Sequence, residues 1–169
     1  MLYDRGMNPL VGLALILLLA TPMVLAQQAK TFEAAVTRKG NNVYHIDGKD
    51  LVVVTLGCNI QAYAENVLLT SNGTGGDITF LYSKDKCEVR GVYGPIPPKQ
   101  GRFGVTVSLK ADNWFEIFGS NTFLKTRACR TLVLAEESSL LIPPTGLGQL
   151  RFKDGTTCTV EAMYGKRKL

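Results

Sequence analysis

Beyond residue 26 the apolar positions of this chain recur at strand spacing, and no stretch of ten or more residues holds the 3.6-residue period of an amphipathic helix. Residues 51–55, LVVVT, form a short β-branched run between DGKD and GCN, the signature of a buried strand. In ITFLY, residues 78–82, Ile78, Phe80 and Tyr82 alternate with Thr79 and Leu81. Its counterpart LRFK, residues 150–153, sets Leu150 and Phe152 against Arg151 and Lys153, a strand with one face in a core and one in water. Residues that tolerate positive φ separate these runs: Asp47-Gly48, Asn72-Gly73, Gly75-Gly76 and Asp154-Gly155. The pattern predicts an all-β protein of short antiparallel strands, five or six per unit, closed on themselves or curled into a half-barrel so that no edge lies open.

There are two such units. Shifting the chain by 71 residues lays Phe32 on Phe103, Lys39 on Lys110, Asn42 on Asn113, Thr55 on Thr126 and Cys58 on Cys129. The match continues without a gap through Glu65 on Glu136, Cys87 on Cys158, Tyr93 on Tyr164 and Gly94 on Gly165. Average residue usage gives far less identity by chance. The period is too long for a solenoid repeat, so the reading is two tandem copies of a small antiparallel β module. A unit of roughly 65 residues is near the lower limit for a self-sufficient core. Packing of the copies on each other with pseudo-twofold symmetry, and one disulfide in each, would compensate. The expected organisation is a signal peptide over 1–26, a first repeat over 27–94, a Pro-rich linker over 95–101, a second repeat over 102–165 and a basic tail over 166–169.

Residues 10–26, LVGLALILLLATPMVLA, are apolar over the length of a secretory h-region and end on Val24 and Ala26 at the spacing a signal peptidase reads. Cleavage after Ala26 is expected, leaving a periplasmic or secreted protein with no stable membrane insertion. Only Arg5 precedes the run as a cation and Pro22 interrupts it, so an uncleaved N-terminal anchor is the alternative. Export changes the meaning of the four cysteines, an even set that reads as disulfides in an oxidising compartment. Zinc sites use close pairs such as C-x2-C, whereas here the cysteines stand 29 apart within each copy, and no metal or cofactor is expected. Symmetry leaves all three connectivities open, but an unduplicated ancestor must have closed its own bridge. The expected pairs are therefore Cys58 with Cys87 and Cys129 with Cys158, each restricting the unfolded chain by about 3.6 kcal/mol on the loop-entropy account.

Candidate chemistry is sparse. His45 is the only histidine, its equivalent is Glu116, and in VYHID it reads as an outward strand residue rather than a general base. Glu65 and Glu136 recur, and a twofold axis that brought them together would give a carboxylate pair with separated pKa values. A hydrolase built on that pair is one alternative function, although the Asp-Thr/Ser-Gly loop of aspartic proteases is missing. GTGG, residues 73–76, lacks the Lys-Ser/Thr and the helix of a phosphate loop and reads as a hairpin connection. Asn72-Gly73-Thr74 is a glycosylation sequon in a eukaryotic setting.

The net charge of +5 is unchanged by removal of residues 1–26, which takes away one Asp and one Arg. Lys166, Arg167 and Lys168, with Lys99, Arg102, Arg127 and Arg130, read first as a solvated basic surface, the alternative being contacts to an anionic partner such as an envelope polymer, or to an envelope protein. No nucleic acid is expected, because aromatic residues are not interleaved with the cations in a base-stacking pattern. The leading expectation is an exported, disulfide-stapled, non-catalytic binding or structural module, not an enzyme. A small exported inhibitor or immunity-type protein, presenting IPPTGLG (142–148) or PIPPKQ (95–100) as a protruding loop, is the other alternative.

Overall fold

The computed structural model describes residues 29–71 and 75–168, so the signal-peptide reading and the 72–74 sequon lie outside the described residues. Twelve antiparallel strands follow one another: β1 Lys30–Gly40, β2 Val43–Ile46, β3 Leu51–Leu56, β4 Glu65–Ser71, β5 Gly76–Phe80, β6 Lys86–Ile96, β7 Gly101–Ala111, β8 Trp114–Ile117, β9 Thr122–Arg127, β10 Glu136–Ile142, β11 Gly148–Arg151 and β12 Thr157–Arg167. The protein is all-β, and no helix occurs among the described residues. The first six strands close in the order β1-β2-β3-β6-β5-β4 and the second six in the order β7-β8-β9-β12-β11-β10, giving two six-stranded barrels. Every strand has a neighbour on both sides, so closure removes the edges that a small sheet would expose.

Each barrel has its own core. Val36, Tyr44, Val53, Val67, Ile78 and Phe80 fill the first, and Val107, Phe115, Leu124, Leu140, Leu150 and Phe152 the second. Both expected disulfides are present, Cys58–Cys87 with α-carbons 5.7 Å apart and Cys129–Cys158 with 5.5 Å. All four cysteines are thereby committed, which suits an oxidising compartment.

Five of the six strands of the second barrel begin and end 71 residues after their counterparts; β11 does not. Leu69 faces Ile78 in the first barrel, but Leu140 faces Leu150 in the second, a spacing of 72. A one-residue slip turns every side chain to the other face, and this slip puts Leu150 and Phe152 inward where Ile78 and Phe80 stand. At offset 71 the core position of Phe80 would fall to Arg151. The expected alternation in 78–82 also stops early, because β5 ends at Phe80 and Tyr82 lies in the following turn, 91% exposed.

The barrels are joined in one sheet. β6 pairs with β5 through its first residues and with β12 through Val92 to Ile96. In that second pairing Gly94 faces Gly165, its own equivalent, and Tyr93 faces Lys166 as Pro95 faces Tyr164. A second self-equivalent contact lies at Gly40, where a β-carbon would come 2.5 Å from the β-carbon of Ala111, so only glycine fits. These two contacts define a local twofold axis. Pro95 and Ile96 belong to β6, beyond the end of its ladder with β3, so the connection between barrels is residues 97–100 rather than 95–101. Likewise Lys166 and Arg167 are the last residues of β12 and not part of a free tail.

Candidate functional site

Two of the repeat-identical polar residues build corners. Asn42 and Asn113 sit in tight turns at φ 61° and 63°, a conformation asparagine tolerates. Their side-chain oxygens accept the backbone N–H of Cys58 at 2.6 Å and of Cys129 at 2.7 Å, and their carbonyls accept the N–H of Thr55 and Thr126. One asparagine thus fixes the start of the stapled loop in each barrel. Glu65 and Glu136 do similar work: Glu65 accepts the N–H of Tyr82 at 3.3 Å and Glu136 that of Lys153 at 3.0 Å. Each carboxylate tethers the turn after β5 or β11 of its own barrel, which accounts for its recurrence.

The seam between the barrels is a third apolar cluster. In LVVVT, Val53 points into the first barrel while Val52 and Val54 face the seam, so both faces of that strand are covered. Tyr93 meets Phe123 edge-on across the seam at 4.7 Å, and within the second barrel Trp114 meets Tyr164 at 4.8 Å. The equivalent tyrosines differ in one respect. Tyr164 donates its hydroxyl to the Asp50 carboxylate of the other barrel, whereas the buried Tyr93 hydroxyl has no partner among the described residues. Burial, and for Tyr164 also the bond to Asp50, pushes both phenols above their ordinary pKa.

The twofold axis gives the seam two equivalent flanks, built from β-bulges. Register shifts place Lys39 in a bulge of β1 and Lys110 at the same point of β7. Arg90 occupies a bulge of β6, and Glu161 the equivalent bulge of β12. A bulge re-aims its extra residue out of the alternation of the strand, and all four side chains turn toward the flanks. On one flank Arg90 of the first barrel binds Glu116 of the second, and Lys110 approaches the same carboxylate at 3.2 Å. The Glu116 side chain is only 12% exposed. Burial works against its charge, but the hydrogen bonds and charges of Arg90 and Lys110 outweigh that and hold its carboxyl below the ordinary value. Its bond to Arg90 raises the guanidinium in turn. This flank is clamped shut.

On the other flank His45 stands where Glu116 does and Glu161 where Arg90 does. Glu161 accepts instead from Arg127 of its own barrel at 2.6 Å, and His45 has Asp47 of its own turn at 3.5 Å. No ion pair crosses the seam here among the described residues. A cleft of about 400 Å³ remains, lined by Lys39 and His45 from the first barrel and by Asp112, Trp114, Lys125, Arg127 and Glu161 from the second. Lys125 replaces Val54, so a cation occupies a position that is seam core in the first copy. The recurrence of Lys39 and Lys110 was the only sign of these flanks in the sequence.

The two loops expected to protrude are exposed over 97–100 and 144–147. Residues of 142–148 and of 97–100 face each other and, with Val160 to Met163, enclose a pocket of about 230 Å³. Lys166, Arg167 and Lys168 are exposed along the end of β12, with Arg167 bonded to the Pro95 carbonyl. No protein-family model, curated protein or solved structure matches this chain.

Proposed function

We propose that the protein is an exported, non-catalytic binding module whose site is the cleft on the open flank of the seam, and that its ligand is an acidic polymer of the cell envelope. The supporting observation is the contrast between equivalent flanks: a polar cleft contributed by both barrels stands open where its twin is closed by a carboxylate between two cations. A chain of acidic sugars suits the lining, in which Lys39 and Lys125 meet its charges and Asp112 its hydroxyl groups. In this reading the mature chain begins at Gln27 in the periplasm or outside the cell, and the exposed cations of β12 add long-range attraction. The intact mass of envelope material decides the first point, retention of residues 1–26 favouring an anchor.

Trp114 is the only tryptophan and lines the cleft, so its fluorescence reports occupancy. Titration with oligogalacturonate should change the emission at low salt and lose affinity at physiological ionic strength, while an uncharged malto-oligosaccharide should leave it unchanged. Lys39→Gln and Lys125→Gln should weaken the response together. An emission indifferent to both sugars, or variants identical to the parent, would refute the reading.

A further inference from the structure

A separate concavity lies at one end of the second barrel. β6 ends at Ile96 opposite Met163 of β12, and β7 begins at Gly101 opposite Ile142 of β10. Residues 97–100 therefore cross the end of this barrel as a strap pinned at both sides, and its two prolines keep it stiff. Pro98 and Gln100 line the pocket toward the 142–148 loop, while Lys99 lines a different one over the barrel interior. That second space is about 300 Å³, and its walls include Phe103, Val105, Ile117, Leu140, Ile142 and Met163. Phe103, Val105 and Met163 pack against the core but are only partly covered.

The polar side chains at this mouth are few. Ser120 and Thr122 donate their hydroxyls to the carbonyls of Ile117 and Ser120, and Lys99 is the only charged residue of the lining. Lys99 enters no ion pair among the described residues. No carboxylate lines the pocket. The first barrel differs at the equivalent of Thr122, where Leu51 packs against the core. An apolar concavity with one cation at the rim selects a ligand with an apolar body and one anionic end.

We infer that the mouth of the second barrel binds a free medium-chain carboxylic acid, its chain among Phe103, Val105, Leu140 and Met163 and its carboxylate at Lys99. The inference is independent of the seam cleft, since the two sites share no residue. Calorimetric titration of the disulfide-intact protein tests it with decanoate, decanol and acetate. Decanoate should bind with a negative heat-capacity change, decanol at least fivefold more weakly, and acetate not at all. Lys99→Gln, a change on an exposed connection, should cost decanoate five- to tenfold and leave decanol unaffected. Val105→Trp should fill the space and abolish both, with circular dichroism confirming that it folds. Decanoate binding no tighter than acetate, or unchanged in Lys99→Gln, would overturn the site. Retention on anionic phospholipid vesicles without decanoate binding would overturn it too, assigning the cations to a membrane surface.

Discussion

On one flank of the seam Glu116 draws Arg90 and Lys110 together across two barrels; on the other, His45 takes its place and Glu161 turns back to Arg127 of its own barrel. Backbone geometry does not distinguish them, since both are built on bulges at equivalent points of β1 and β7 and of β6 and β12. The difference lies in which side chains a common frame carries. Two exchanges, Glu116 for His45 and Arg90 for Glu161, remove a cross-barrel clamp and leave a cleft without any change of fold.

The largest effect should come from breaking the clamp. Glu116→Ala leaves Arg90, half withdrawn from water, without its partner, and should lower stability by about 1–3 kcal/mol in denaturant titrations at neutral pH. The pH dependence has a definite sign. A carboxyl held below its ordinary value in the folded state contributes stability above the unfolded value, near 4.5, and loses it as pH falls through the lower folded value. The gap between parent and variant should therefore close in acid, and a gap that persists there would assign the loss to packing.

The tyrosine pair sharpens the comparison next. Tyr164→Phe removes the hydroxyl bond to Asp50 across the seam and should cost about 1–2 kcal/mol, read as a shift in denaturation midpoint. Smaller and of opposite sign, His45→Glu with Glu161→Arg should rebuild the clamp on the open flank. It should gain about 1 kcal/mol and silence the response of Trp114 to oligogalacturonate, whereas each single change should not. A double variant that keeps its full fluorescence response would show that the cleft does not close this way. Smallest of all, Tyr93→Phe removes a buried hydroxyl without a partner and should leave stability unchanged or raise it by no more than about 0.5 kcal/mol. A loss equal to that of Tyr164→Phe would mean that the two tyrosines are not distinguished by their partners.

Much of the fold was legible because it is local or copied. Alternation, turn residues and the 71-residue period lead to an all-β protein of two units, and the ancestry argument leads to cysteine pairing within each copy. The recurrence of Asn42, Glu65 and their twins was legible as well, but not its cause, since each serves a backbone amide 16 or 17 residues away. What the tertiary structure decided depends on cross-strand register. The ungapped alignment of β5 with β11 conceals a slip of one residue, because offset 71 would turn Gln149 and Arg151 toward the core where Ile78 and Phe80 stand, and the slip puts Leu150 and Phe152 there instead. The bulges at Lys39, Arg90, Lys110 and Glu161 exist only where one strand is measured against its neighbour, and no single-strand pattern announces them. Both flanks, and the strap of 97–100 across the second barrel, arise from residues far apart in the chain meeting at a closed surface. The sequence determined which elements form and repeat; barrel closure and the twofold seam decided which side chains face one another.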